Sequence, residues 1–366
     1  MKRAGPATLA AIAASLATAL MVAAACPRAA STDDDAGAPS DGDAGVQDGG
    51  STGDDAGTPP DDDAGTPPHD DAGAPPHDAG ADDPFGIYER PGPAAVTTVT
   101  RTVDLGGFSA TELDVYLPSS AGPRPVVSLS PGLLQPREAY RPYGERLASH
   151  GIIVVVRDDP GVLTNTQTVA DDIVTIGTDW LAAENADSQS PLFGRVDVSR
   201  LGLAGHSRGG KASLVAAEQG LHDVARAWFG LDPVDAAEFS GGAMARDELP
   251  SLGMPTGFLG AEVASSCSPA GDNYAVLFAV APSPSVELVA IAAGHTQLQD
   301  QDHCVGCAAC SPYGTADDDT VLAYSVRYLT AFFARELLGD ASVGAGLDGA
   351  GVALDVAQGR VTRSTR

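Results

Sequence analysis

Positive charge is scarce in this 366-residue chain: 21 Lys and Arg stand against 49 Asp and Glu, a formal net charge of −28. That balance excludes a nucleic-acid-binding face, which needs a basic stripe to neutralise phosphates, and no such stripe occurs. Long apolar runs are scarce as well. Beyond the first 26 residues no stretch reaches the roughly 20 apolar residues that cross a bilayer. Cysteine is limited to Cys26, Cys267, Cys304, Cys307 and Cys310. The last four are an even set, which in an exported domain implies two disulfides with three possible pairings. His303-Cys304-x-x-Cys307-x-x-Cys310 also resembles a metal or iron–sulfur ligand cluster. Export to an oxidising compartment, and Cys267 as a distant partner, favour disulfides, so no metal site is expected.

What is present divides the chain into four segments. Residues 1–26 open on Met-Lys-Arg, continue through an Ala/Leu/Ile/Val-rich stretch and end Val22-Ala-Ala-Ala-Cys26. This reads as an export signal, and the terminal cysteine as the lipidation site of a bacterial lipoprotein. Residues 27–83 repeat Asp-Ala-Gly and Pro-Pro units, with 16 Asp and one Arg. A segment with so few apolar side chains cannot offset its ordering entropy, so it reads as an extended, solvated tether. Its Asp-Ala-Gly units lack the ligand spacing of a calcium loop. Residues 84–340 form one expected domain with a large core. Residues 341–366 are rich in Gly and Ala and carry no clear pattern. The expected location is extracytoplasmic, either lipid-anchored at a membrane or secreted.

Within 84–340 the pattern alternates between strands and helices. Val96–Val103 and Ser109–Leu117 alternate polar and apolar residues, as an antiparallel pair does. Pro125–Ser130, Ile152–Val156, Val198–Ala204, Ala225–Leu231, Met254–Gly260 and Val286–Ile291 read as strands, most of them buried. Helical periodicity marks the segments around Tyr143 and Leu147, Val169–Ala183, Lys211–Gln219 and Thr320–Leu338. The fold class expected is α/β, a mostly parallel central sheet with helices on both faces.

The chemistry concentrates at Ala204-Gly-His-Ser-Arg-Gly-Gly-Lys211. Ser207 is the centre of a G-x-S-x-G pentapeptide between a buried strand and a helix, where a sharp turn exposes the hydroxyl. The competing reading is a glycine-rich turn whose serine merely caps the helix. A nucleophilic serine needs an imidazole, and the imidazole a carboxylate, in the chain order Ser, acid, His. His295, after strand Val286–Ile291, sits where ligands meet an open α/β sheet. His303, beside the cysteines, fits a surface-loop role. Asp232, at the end of strand Ala225–Leu231, is the first candidate acid; Glu262 is the rival and Asp235 the third choice. Oxyanion donors are expected from the backbone of Arg208 and of Leu133, with Leu134 as second choice. Trp228 and Phe229 fit either core or pocket lining.

Gly205-His-Ser-Arg-Gly-Gly-Lys211, Gly230-Leu-Asp-Pro-Val234 and Gly294-His295 together are similar to the chlorophyllase family of α/β-hydrolases. Leu147-Ala-Ser-His-Gly-Ile-Ile153 resembles the segment before that family's fourth strand. It also occurs in dienelactone-hydrolase-like and cutinase or polyester-hydrolase enzymes. The resemblance spans about residues 95–340. It implies a triad of Ser207, Asp232 and His295, favours Asp232 over Glu262, and implies carboxylic-ester hydrolysis without a cofactor. Gly294-His-Thr-Gln297 departs from the family's Gly-His-Met-Asp, which puts chlorophyll itself in doubt as substrate. The expected partner is a small-molecule, lipid or polyester ester, with membrane contact only through the anchor and the chain a monomer. The alternatives from other classes are an inert surface-displayed binding protein on the same scaffold, and an acyltransferase or peptidase using the same triad.

Overall fold

Alternate residues of the central strands face two separate apolar cores, as a period-two strand buried on both sides must. The structure, a computed structural model, describes residues 86–366 apart from 107–109, 239–241 and 344–346. The expected signal with Cys26 and the tether 27–83 lie outside the described residues. Among the described residues nine strands form one sheet: β1 (Val96–Val103), β2 (Thr111–Pro118), β3 (Arg124–Ser130), β4 (Ile153–Arg157), β5 (Val196–His206), β6 (Ala225–Leu231), β7 (Thr256–Val263), β8 (Ser285–Gly294) and β9 (Val361–Thr365). Their spatial order is β1-β2-β4-β3-β5-β6-β7-β8-β9. From β4 to β8 every neighbouring pair is parallel, and antiparallel pairs close the two edges. The expected mostly parallel α/β sheet is therefore what the chain forms.

In β4, Val154 and Val156 enter one core while Ile153 and Val155 enter the other. The first core is covered by α1 (Arg141–Ser149) and α4 (Asp318–Phe333), which contribute Tyr143, Leu147, Tyr328, Phe332 and Phe333. The second is covered by α2 (Thr166–Thr175) and α3 (Arg208–Gln219), with Val169, Ile173, Leu214 and Val215. Asn165 starts α2 by accepting the Thr168 N–H at 2.9 Å, and Asp317 starts α4 by accepting that of Thr320 at 2.9 Å. Such caps satisfy amides that a helix leaves unpaired. Trp228 and Phe229 are fully buried in the two cores, so of their two expected uses core packing holds.

The cysteines pair as Cys267–Cys310 and Cys304–Cys307. The first bond joins the loop after β7 to the loop after β8. The segment 341–366, without pattern in the sequence, forms α5 (Ala350–Ala357) and the edge strand β9, which pairs with β8. Asp355 on α5 is fully buried and accepts from Arg327 and the Tyr328 hydroxyl of α4.

Candidate active site

Four non-glycine residues of the described chain have positive φ: Leu134, Ser207, Asp232 and Ala292. Backbone in that region costs about 1–3 kcal/mol per residue and persists only where its surroundings hold it. Three of the four are candidate site residues or neighbours of one, and the fourth lies three residues before His295.

Ser207 turns the chain from β5 into α3 with φ 54° and ψ −123°. Its N–H donates to Leu231 O of β6 at 3.1 Å, and its carbonyl accepts from Gly210, Lys211 and Val234. The turn is tight enough to require its glycines. A Cβ on Gly205 would lie 2.3 Å from the Gly209 carbonyl, and one on Gly209 would lie 2.2 Å from Ser130 O. Lys211, one turn into α3, is buried and donates to Ala236 O at 2.8 Å, fastening the helix to the loop after Asp232.

Asp232 follows β6 and is fully buried. Its N–H reaches Leu259 O of β7 at 2.7 Å, and its Oδ1 accepts from Ala261 N at 3.2 Å. Its Oδ2 lies 2.6 Å from His295 Nδ1. His295 begins a short turn at the end of β8 and is 4% exposed. With Nδ1–H donated to the carboxylate, Nε2 is the nitrogen left to accept a proton. The Ser207 hydroxyl has no hydrogen bond among the described residues; such bonds commonly tighten only when substrate is bound.

The other carboxylates are engaged elsewhere. Glu262 is exposed and accepts the N–H of Ala292 at 2.7 Å, holding the positive-φ residue of β8. Asp235 accepts from Ala245 N at 2.7 Å and from Arg246 Nε at 2.7 Å. Gln297, where the sequence departs from the chlorophyllase pattern, is buried, accepts from Gly294 N–H and donates to Ala316 O, both at 2.7 Å. His303 lies 2.9 Å from Asp300, within its own loop.

Leu134 is excluded as an oxyanion donor because its N–H is taken by Asp159 Oδ1 at 3.0 Å. Gly132 N–H is taken by the Tyr140 hydroxyl at 2.9 Å. Between them Leu133 N–H has no protein partner among the described residues, and neither has Arg208 N–H at the start of α3.

Sequence reasoning missed the support around these groups. His206, next to Ser207 in sequence, is buried with its ring 4.6 Å from that of His295. Its Nε2 donates to His295 O at 3.0 Å, and its Nδ1 is 2.8 Å from the Tyr140 hydroxyl, which also reaches Gln299 Oε1 at 2.7 Å. Burial, and then the His295 ring, hold the His206 pKa well below the usual imidazole value. Burial raises that of Tyr140, which stays protonated. Gln299 continues to Gln135, which bonds both backbone groups of Val305. No sequence motif marks this chain of contacts, because its members are far apart in sequence.

Two surface cavities of about 350 and 560 Å³ lie elsewhere, lined by Glu218, His222 and Met254 in one case and by Val96, Pro142 and Leu322 in the other.

The family model for PETase, described as PET hydrolase-like, matches residues 75–264, just over half of the chain. The matched region includes Ser207 and Asp232 and ends before His295. Cutinase est1 of Thermobifida alba is 30% identical over 130 residues, 36% of this chain and 42% of that protein. The bis(hydroxyethyl) terephthalate hydrolase of Streptomyces coelicolor is 32% identical over 129 residues, 35% of this chain and 39% of that protein. Cutinase 2 of Thermobifida cellulosilytica is 31% identical over 105 residues, 29% of this chain and 38% of that protein. The chain thus spans about two fifths of the length of these curated relatives. Of the kin that the sequence resembles, these fall on the cutinase and polyester-hydrolase side. A family match of that extent, across the strand, turn and helix that carry Ser207, is decisive: the chain belongs to the PET hydrolase-like family of α/β-hydrolases.

Proposed function

We propose that the chain is an extracytoplasmic serine hydrolase of carboxylic esters, with Ser207 as nucleophile, His295 as general base and Asp232 as the acid that orients it. The observation that carries this reading is the buried 2.6 Å contact of His295 Nδ1 with Asp232 Oδ2, on loops that flank the strained Ser207 turn. His295 Nε2 takes the Ser207 proton as Oγ attacks the ester carbonyl, and the charge moves to the carbonyl oxygen. Leu133 and Arg208 N–H stabilise that oxyanion. His295 then protonates the leaving alkoxide, and the alcohol departs from the acyl-enzyme. Water repeats the sequence, releasing the acid and restoring Ser207. The steps call for no cofactor.

The substrate is an apolar ester, from a small molecule or lipid up to a polyester. Leu133 is 42% exposed beside the oxyanion loop, and Val305, bonded to Gln135, is 41% exposed. Leu163 is 91% exposed on a loop whose Gly161 and Thr164 carbonyls hold the Arg208 guanidinium. Such an apolar rim suits an insoluble ester. The names of the relatives, cutinase and terephthalate-ester hydrolase, point the same way. Export is supported by the composition of residues 1–26 and by the two disulfides. Mass spectrometry of the mature protein would show whether Cys26 is diacylated.

Ser207→Ala and His295→Ala should each lower turnover of p-nitrophenyl butyrate by about 10³-fold or more. Asp232→Asn should be severe and Glu262→Gln mild. A Ser207→Ala enzyme that works at the native rate, or fails to lose fluorophosphonate labelling, rejects the assignment. A panel of graded p-nitrophenyl esters, a triglyceride, a polyester film and chlorophyll would rank the substrate classes.

A further inference from the structure

Asp159, in the loop after β4, belongs to no motif, yet its side chain is only 2% exposed and touches both halves of the proposed oxyanion site. Its Oδ1 accepts the N–H of Leu134 at 3.0 Å and that of Gly161 at 2.9 Å. Its Oδ2 accepts from Arg208 Nη2. Its own N–H reaches Gln135 O at 3.4 Å, so backbone and carboxylate grip the Leu133 loop from two positions. The Arg208 guanidinium also donates to Thr164 O at 2.7 Å. Leu133 N–H lies between two amides already committed, Gly132 to Tyr140 and Leu134 to Asp159. Arg208 N–H belongs to the residue whose side chain Asp159 holds.

We propose that Asp159 is a positioning residue that fixes the two oxyanion donors, Leu133 N–H and Arg208 N–H, relative to each other. This rests on the assignment of Ser207 as nucleophile. The donors come from separate elements, the loop after β3 and the first turn of α3, and no direct bond joins their amides. A buried carboxylate can bridge them because it accepts at both oxygens and its charge is neutralised by Arg208. Asparagine has one acceptor oxygen, so it can serve the Leu134 side or the Arg208 side but not both. An oxyanion site works only when its donors are fixed before charge develops, so a loosened bracket loses turnover more than ground-state binding.

The test compares wild type, Asp159→Asn, Arg208→Gln and Ser207→Ala on p-nitrophenyl butyrate and on its thiono analogue. A thiocarbonyl sulfur is a poor hydrogen-bond acceptor, so the oxo-to-thiono rate ratio reports how much turnover depends on the donors. Asp159→Asn is expected to lower kcat by about 10- to 100-fold with KM within about threefold, and to shrink that ratio. Arg208→Gln keeps its backbone N–H, breaks the bracket from the other side, and should behave alike; it carries the test if Asp159→Asn does not fold. Lower kcat with an unchanged ratio, or kcat within twofold of wild type, in a folded variant beside a dead Ser207→Ala, would overturn the role of Asp159 alone. An active Ser207→Ala would overturn the triad and this inference with it.

Discussion

His206 sits beside Ser207 in sequence and against His295 in space. Its Nε2–H holds the His295 carbonyl, and its low pKa keeps it neutral so that its other nitrogen faces Tyr140. A group whose folded pKa is lowered contributes stability above its unfolded pKa of about 6.5, and that stability is lost as the pH falls below it. The pH dependence should therefore steepen by up to about 1.4 kcal/mol per unit below pH 6.5 through this residue. His206→Gln, which keeps an N–H donor and cannot charge, should flatten that slope between pH 6.5 and 5. Equal slopes in urea denaturation of the two proteins would reject it. At the same scale, spacing alone left Asp232, Glu262 and Asp235 open as acids. Their partners separate them: one faces an imidazole, one a backbone amide of β8, one the Arg246 side chain.

At the scale of elements, the loops beyond β7 and β8 carry the geometry that holds His295, and Cys267–Cys310 ties them together across 43 residues. Ser266 N–H to Ser311 O at 2.8 Å and Ser266 Oγ to Ala309 O at 3.0 Å run beside the bond. Closing a loop of this length restricts the unfolded chain, so Cys267→Ser with Cys310→Ser should cost about 2–4 kcal/mol in chemical denaturation. A loss below about 0.5 kcal/mol would mean the hydrogen bonds alone hold the loops. The strands up to β8 and the main helices up to α4 were readable in the sequence, because buried strands and amphipathic helices have different apolar periods. The disulfide pairing was not, since four cysteines allow three connectivities and only the positions of the loops choose one.

For the whole molecule, the C-terminal 26 residues complete the sheet instead of trailing from it. Asp355 anchors them under α4, meeting Arg327, the Tyr328 hydroxyl and Arg360. Asp355→Ala would strip a buried arginine of its carboxylate on that side and should destabilise the protein by about 3 kcal/mol or more in urea denaturation. A loss under 1 kcal/mol would show that β9 pairing with β8 suffices without it. Short, Gly- and Ala-rich segments have weak intrinsic preferences, so this closure is invisible until β8 offers an edge and α4 a buried charge.

The sequence by itself determined the local and periodic features: the strand order along the chain, the turn that lifts Ser207, and the residue types able to form a triad. These follow from steric rules and apolar spacing over a few residues. Only the tertiary structure decided which carboxylate meets His295, that Leu134 N–H is spent on Asp159 while Leu133 N–H is open, and that the Asp159 carboxylate meets both the Leu134 amide and the Arg208 guanidinium. Each of these depends on groups tens of residues apart brought within about 3 Å, a distance that packing sets and local sequence does not encode.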